Sequence, residues 1–276
     1  MSGILDDEEI ERIISQSLDN ERGYRPIQLS RAARGPAPGV HQRARSEATD
    51  FEATDFRTLA VNGSVQAQVA YGLILLRGHG VARDEDAALR WFRIAARAGS
   101  PDAYNMVGRC HELGWGVARD CTEAARWYRR AADRNHAWAQ FNLASLLAQG
   151  NGVPLDHGQA LSLLVKSARQ GNAKAMNMLG RYREAGHDGR SKLRSAALWY
   201  RLAAKGGCFR GQFHHGRQLA AAGDIEGACN WFSASLGQAP EDFRREAASF
   251  LAQHADASIR NIGLTAASTG HVESTA

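Results

Sequence analysis

The sequence predicts an all-α fold, a solenoid of about five antiparallel helix pairs with helical caps. Small residues recur along the chain with a constant step of 36 positions, and large apolar residues recur in phase with them. Within each unit of 36 residues the apolar positions follow helical spacing, and a glycine-rich segment divides the unit into two helices. The first series of small residues is Gly72, Gly108, Ala144, Gly180 and Gly216.

Further series of residues keep the same period. Another small residue precedes each member of the first series by five positions, at Ala67, Ala103, Ala139, Ala175 and Gly211. A large apolar residue follows in the second helix of each unit, at Trp91, Trp127, Leu163, Trp199 and Trp231. One unit cannot bury its apolar face alone, whereas a stack of units can. We therefore expect the four tryptophans of this series to fill the gaps between units and to be largely buried.

Each unit also carries signals for where its helices begin and end. In the first unit, Gly78 to Val81 interrupts the helical pattern, because paired glycines accept backbone angles that other residues resist. Asp84 then occupies an N-cap position, and Asp120 and Asp156 occupy the same position one and two periods later. Gly99 is placed to end the second helix. These signals predict a helix, a short loop and a second helix in each repeat.

The combined pattern A-x-x-x-x-G, G-x-G-V-x-x-D and A-x-x-W-[YF]-x-x-A-A-x-x-G resembles the Sel-one-like repeat of the tetratricopeptide superfamily. It is nearly complete in residues 67–99 and 103–132, and the third repeat departs from it at Leu163 and Leu164. The resemblance covers about residues 63–236. It implies an α-solenoid that binds proteins or peptides, as adaptors and regulators do, and it leaves the partner open.

The flanking segments differ in composition from the repeats. Residues 1–21 form an acidic amphipathic segment with seven acids and one base, and residues 22–50 read as a disordered linker rich in Arg, Pro and Gly. Residues 51–262 are expected to hold the solenoid with its caps, followed by a polar tail at 263–276. The apolar stripe of the head consists of Ile10, Ile13, Ile14 and Leu18. This head either competes with the partner for the solenoid or is itself a ligand for another protein.

Composition and charge exclude several classes of protein. The apolar content of 44% is sufficient for a core. The charges of the acidic head and of the basic linker cancel, so the net charge of +5 belongs to a mildly positive body, which is weak evidence for a nucleic-acid surface. The N-terminus lacks the basic start and apolar run of a secretory signal, and no apolar stretch is long enough for membrane insertion. The four cysteines show no metal-ligand spacing, which favours free thiols in a reducing cytoplasm. We expect a cytoplasmic monomer.

No catalytic constellation is apparent in the sequence, so we predict that the protein is not an enzyme. His111 and Glu112 lack the second histidine of a zinc helix, and the adjacent His214 and His215 point to different helix faces. We expect no metal and no cofactor. The family also has a secreted, cysteine-rich branch linked to β-lactam binding, but this chain lacks the cysteine pairs of that branch, so a hydrolase activity is not carried over.

Candidate partner-binding residues lie on the first helix of each repeat, which lines the concave face of such solenoids. Arginine and asparagine four positions apart share a helix face, and guanidinium and amide groups suit an extended, carboxylate-bearing peptide. The predicted binding residues on the first helices are Asn105, Arg109, Trp138, Lys174, Asn177, Arg181, Arg210 and Arg217, and Trp115 in the loop after one of these helices is added to them. A competing interpretation is that Arg109 and Arg181 pair along their own helices with Glu112 and Glu184, and that both tryptophans pack on neighbouring apolar surface.

These observations favour a non-catalytic protein–protein interaction scaffold or adaptor that binds a protein segment, an acidic one if the cations are used. A regulatory protein, or a binding protein associated with the envelope or with transport, is the alternative.

Overall fold

The computed structural model describes residues 53–187, 189 and 191–269. Within these ranges helices are the only regular secondary structure, so the predicted all-α repeat fold is confirmed. The chain divides into two compact units, an N-terminal unit (described residues 53–163) and a C-terminal unit (164–269). The acidic head and the linker both lie outside the described residues.

The N-terminal unit begins with a short helix α1 (residues 53–61), which lies where a helical cap is expected before the repeats. Consecutive helices α2 to α6 pack against one another as helix hairpins. The helices that follow α1 are α2 Val65–Arg77, α3 Glu85–Arg97, α4 Pro101–Leu113, α5 Cys121–Ala132, α6 Ala137–Gln149 and α7 His157–Arg169. The last of these helices contains the boundary between the units.

The C-terminal unit continues the alternation, and each of its helices packs on the next in the chain. Its helices are α8 Ala173–Ala185, α9 Leu193–Lys205, α10 Phe209–Ala221, α11 Ile225–Gln238, α12 Glu241–Ala252 and α13 Ala257–Thr269. Helices α2 to α11 are the ten predicted from the period. The even-numbered members of this set are the first helices of the five repeats.

The predicted N-caps are confirmed by their hydrogen bonds. Oδ1 of Asp84 accepts from the backbone N–H of Ala87 at 2.8 Å, and Oδ1 of Asp156 accepts from that of Gln159 at 2.8 Å. Asp120 accepts from two N–H groups at the start of α5. A side-chain acceptor at this position satisfies amides that the helix itself leaves unbonded, which fixes where each second helix begins.

The deepest aromatic residue of a repeat lies one position further along the chain than the tryptophan that we expected there. Only Trp199 is fully buried, whereas Trp91, Trp127 and Trp231 are half-buried. The residue after the tryptophan position lies deepest in these repeats, because its ring packs on the bare backbone of the periodic glycine in the first helix. A Cβ added to Gly72 would lie 2.5 Å from Cε1 of Phe92. The other ring–glycine pairs are Tyr128 with Gly108, Tyr200 with Gly180 and Phe232 with Gly216.

The second glycine of the loop joins neighbouring repeats within the N-terminal unit. Gly116 has φ +64°, and a Cβ there would lie 2.5 Å from the carbonyl oxygen of Glu85 at the start of α3. Gly152 lies in the same way against Cys121 at the start of α5. Glycine is therefore required at this loop position both by the close approach of the neighbouring repeat and by the positive backbone angle.

The C-terminal cap is longer than the sequence pattern indicated. The predicted helix after Pro240 is present as α12, but α13 continues through residues 263–269, where we expected a polar tail. Asp256 caps α13 by accepting from the N–H groups of Ser258 and Ile259, and Ile259 is fully buried. The spacing of Ile259 and Ile262 on one helix face is the signal that would have predicted this helix.

The first helices share one N-cap position, and its occupant predicts stability. Ser100 caps α4 by accepting from the N–H of Ala103 at 3.2 Å, whereas Cys208, at the equivalent position of α10, makes no side-chain cap. We expect Cys208→Ser to raise the free energy of unfolding by about 1 kcal/mol and Ser100→Cys to lower it by about the same amount. Urea unfolding followed by circular dichroism measures both. A loss of stability in Cys208→Ser would mean that burial of the thiol outweighs the cap.

Candidate functional site

The first helices of adjacent repeats contact each other through side chains of the predicted surface. In the N-terminal unit, Nδ2 of Asn142 on α6 donates to Oδ1 of Asn105 on α4 at 3.0 Å. Nδ1 of His136 accepts from the N–H of Ala139, so its Nε2 carries the proton and donates to Asp102 at 3.1 Å. This bond is the main reason that the pKa of Asp102 is lowered. Asn105 is thus buried, and its side chain joins two repeats.

Three other predicted residues of the N-terminal unit lie closer to the surface. Arg109 is half-buried, and its guanidinium carbon lies 4.9 Å from the centre of the Trp115 ring, which itself packs on the core. Trp138 is half-buried, with its ring edge-on to Phe141 at 6.3 Å between centres. The structure therefore brings Arg109 and Trp115 together and gives Trp138 an aromatic neighbour on its own helix.

The predicted cations of the C-terminal unit are exposed. Lys174 and Arg181 extend from α8, and Arg210 and Arg217 extend from α10, while Asn177 between the first two is buried. Arg210 lies over the rings of Phe209 and Phe243, and Arg217 lies 5.9 Å from the centre of the Phe250 ring. Among the described residues, no carboxylate is within ion-pair distance of Arg181, Arg210 or Arg217.

Glu112 and Glu184 have a partner that the sequence analysis did not predict. The hydroxyl of Tyr128 donates to Glu112 at 2.5 Å, and the hydroxyl of Tyr200 donates to Glu184 at 2.6 Å. Burial first, and then the carboxylate, raises the pKa of each tyrosine, so both stay protonated as donors. Neither Arg109 nor Arg181 forms the intrahelical ion pair that we considered as the competing interpretation.

The sequence contained a signal for these two bonds. Only the second and fourth repeats carry glutamate at the position of Glu112 and Glu184. The same two repeats carry tyrosine, as Tyr128 and Tyr200, at the second-helix position whose ring packs on the first-helix glycine. The first repeat combines Leu76 with Phe92, and the fifth combines Ala220 with Phe232. Comparing pairs of positions between repeats, rather than single positions, would have found them.

His214 is the centre of the charged cluster in the C-terminal unit, and its importance was also missed. Its ring stacks on that of Tyr200 with 4.6 Å between centres and 20° between planes. Nη1 of Arg217 lies 3.3 Å from Nδ1 of His214, so the arginine donates to this nitrogen when the ring is neutral. Burial, reinforced by Arg217, Arg181 and Arg210, lowers the pKa of His214 to about 4, and Glu184 opposes the shift. At neutral pH the ring is therefore uncharged among three cations.

The rest of the described chain offers less to a ligand. An open cleft of about 650 Å³ lies beside the loops of the N-terminal unit, with His111, Arg119 and Cys121 among its lining residues. Burial lowers the pKa of His111 and raises that of Cys110 behind it to about 12, so both are uncharged at neutral pH. Among the residues that the structure describes, no group of acidic, histidine or cysteine side chains could hold a metal ion. In the same part of the chain, no helix has the length and apolar character to cross a bilayer.

The repeats match a known family over just over half of the chain. The family model for the Sel1 repeat matches residues 65–100, 101–136, 139–172 and 173–208. The chain belongs to the Sel1 repeat family. Each of these four segments begins at or within two residues of the start of a first helix, so the family's unit coincides with the helix pairs seen here. Proteins of this family generally take part in protein–protein interactions.

Solved structures support the fold assignment. A Sel1 repeat protein from Oxalobacter formigenes is 22% identical, with a TM-score of 0.66 over 80% of this chain and 99% of that one. The immunity protein PA5088 from Pseudomonas aeruginosa is 14% identical, with a TM-score of 0.52 over 78% of this chain and 84% of that one. The immunity protein Pa5087 from the same organism is 16% identical, with a TM-score of 0.51 over 75% and 82%. No curated protein sequence matches the chain significantly.

Proposed function

We propose that this Sel1 repeat protein is a non-catalytic scaffold or adaptor that binds an extended segment of a partner protein along its first helices. The observation that carries the proposal is the set of exposed arginines on α8 and α10 that have no carboxylate partner among the described residues. Exposed cations in a folded protein are common, but here Arg210 and Arg217 lie over aromatic rings, and both act together with Arg181 on a neutral histidine.

The chemistry of this surface suits a peptide. A guanidinium group donates up to five hydrogen bonds in a rigid plane and can hold a carboxylate or backbone carbonyls. The neighbouring rings of Phe209, Phe243 and Phe250 supply apolar area beside the charges, and Phe250 is half exposed. Arginine and aromatic residues together are typical of the residues that dominate binding energy in protein interfaces.

The N-terminal unit offers a smaller surface of the same kind. Arg109 stacked on Trp115, and Trp138 beside Phe141, present one guanidinium and two half-buried indoles. We assign these residues to apolar contacts with the partner, because the equivalent positions of the C-terminal unit carry the greater charge.

A peptide display experiment on the whole chain tests this function. Random peptides are selected on the immobilised protein, and the Kd of an enriched peptide is measured for the wild type and for Arg181→Glu. We expect the substitution to weaken binding by tenfold or more, since it replaces an attraction by a repulsion at an exposed position on a first helix. The matched control is Arg194→Glu, the same charge change at an exposed position on the second helix α9.

The two outcomes that contradict the proposal are distinct. If no peptide is enriched, the first helices do not bind extended segments. If Arg194→Glu weakens binding as much as Arg181→Glu, the contact is general electrostatic attraction to a basic protein, or lies on the second helices.

A further inference from the structure

The C-terminal unit repeats the binding chemistry of the N-terminal unit with more charge. The second and fourth repeats share four residue types at equivalent positions: asparagine, arginine, glutamate and tyrosine, 72 residues apart. They differ in what the following first helix places beside them. In the N-terminal unit that helix supplies Asn142, Ser145 and Trp138, and in the C-terminal unit it supplies His214, Arg217 and Arg210.

This difference leaves a polar group of the C-terminal unit unsatisfied. In the N-terminal unit the amide of Asn142 donates to Oδ1 of Asn105. In the C-terminal unit the equivalent Oδ1 of Asn177 is buried and accepts no hydrogen bond. The side chain at the donor position is His214, which is stacked on Tyr200 and directed to Arg217 instead. A buried acceptor without a donor costs free energy, which a structural role alone does not explain.

The charges around His214 come from each neighbouring helix. Arg210 and Arg217 lie on α10 with the histidine, and Arg181 and Glu184 act on it from α8. Helix α9 contributes the neutral ring of Tyr200 to the surroundings of His214. The charged groups Arg201 and Lys205 of α9, and Asp224 before α11, act on His215 instead. Glu184 is engaged by the hydroxyl of Tyr200. Three positive charges are thus opposed by one carboxylate that already accepts a hydrogen bond.

We propose that this cluster binds an acidic side chain of the partner segment, and that binding is coupled to uptake of a proton by His214. The proposal rests on the peptide-binding function above and names its ligand chemistry and its regulation. A carboxylate placed between Arg181, Arg210 and Arg217 offsets the repulsion that, in addition to burial, keeps the histidine neutral. The protonated ring then donates through Nδ1 as well as Nε2, and Arg217 is released to the ligand.

The sign of the pH dependence follows from linkage. The ligand raises the affinity of His214 for a proton, so by reciprocity a proton raises the affinity of the site for the ligand. Below the pKa of His214 in the free protein, the ring is protonated both with and without ligand. Above the pKa of His214 in the complex, it is neutral in both states. The gain therefore accumulates as the pH falls from about 7 toward about 4, the pKa of His214 in the free site. If the carboxylate restores an ordinary histidine pKa, binding tightens on the order of tenfold between pH 7.5 and pH 5.5.

A pair of capped peptides tests the inference on the whole chain. One is a ten-residue peptide of alternating glutamate and alanine, and the other is its glutamine analogue. We expect the glutamate peptide to bind about tenfold more tightly at pH 5.5 than at pH 7.5. At both pH values the protein should bind the glutamate peptide more tightly than the glutamine analogue. Calorimetry in two buffers of different ionisation enthalpy should count close to one proton taken up near pH 5.5.

His214→Asn provides the matched control, because asparagine is the residue at the equivalent position of the N-terminal unit. This variant should bind the glutamate peptide with an affinity that changes less than twofold over the same pH range, and His214→Gln should behave in the same way. An unchanged pH dependence in both variants would overturn the inference. Equal binding of the two peptides by the wild type would also overturn it while leaving the peptide-binding function standing, whereas a failure of every peptide, including displayed ones, would remove both.

Discussion

Replacing Gly72 by alanine is expected to destabilise the protein by about 2 kcal/mol, although alanine is the better helix former. In an exposed helix interior the change would be worth about 1 kcal/mol in the opposite direction. Here the added Cβ would lie 2.5 Å from Cε1 and 2.9 Å from Cδ1 of Phe92, whose ring is fully buried. The ring has no space to retreat, so helices α2 and α3 must separate, and overpacking of this kind costs 1 to 3 kcal/mol or more.

The control is Gly237→Ala in α11, where an added Cβ meets no atom within 4 Å. We expect that substitution to stabilise the chain by about 0.5 kcal/mol. A second test comes from the third repeat, which carries Ala144 at the glycine position and Leu164 at the ring position. Adding Phe92→Leu to Gly72→Ala should therefore recover at least about 1 kcal/mol relative to the sum of the single changes. Strict additivity would show that the ring and the glycine are not coupled.

The periodic residues explain why so much of the fold could be predicted. A fixed step of 36 residues places the same contacts in each repeat, so helix bounds, loop glycines and the caps Asp84 and Asp120 follow from the sequence by alignment with itself. The error in the buried aromatic series has a physical reason. Trp127 and Tyr128 are both large, and periodicity cannot tell which of two adjacent aromatic residues points at the glycine and which lies at the edge.

The candidate site was harder to predict because it consists of departures from the period. The alignment identified Arg181 and Arg217 as first-helix cations, but it did not show that Asn105 is engaged by Asn142. The sequence shows His214 only as one of two adjacent histidines on different helix faces. The role proposed for it depends on stacking on Tyr200 and on three arginines from two helices, and these distances exist only in the folded chain. Contacts between repeats were therefore the main information missing from the sequence.

Loss of the carboxylate of Glu112 is expected to destabilise the chain by about 2 to 3 kcal/mol when Tyr128 is kept. The ring of Tyr128 is fully buried, and its hydroxyl donates to Glu112 at 2.5 Å. In Glu112→Leu this hydroxyl has no acceptor on its former partner, and a buried donor without a partner costs about 1 to 3 kcal/mol. Chemical unfolding in urea at pH 7 measures the change, and a constant slope with denaturant shows that the folded state is retained.

The same residues predict that the double variant Glu112→Leu with Tyr128→Phe is close to wild type in stability. The first repeat contains this combination as Leu76 and Phe92, both buried, at the equivalent positions. Removing both members of a hydrogen bond leaves no unsatisfied group, and the added apolar burial offsets the lost interaction. We therefore expect the coupling free energy between the two positions to be about 2 kcal/mol. A double variant as unstable as Glu112→Leu alone would mean that Glu112 stabilises the repeat through a contact other than Tyr128. In that case the restriction of glutamate to repeats with a tyrosine would reflect a role of the carboxylate at the surface, next to Arg109, and not the packing of the helix pair.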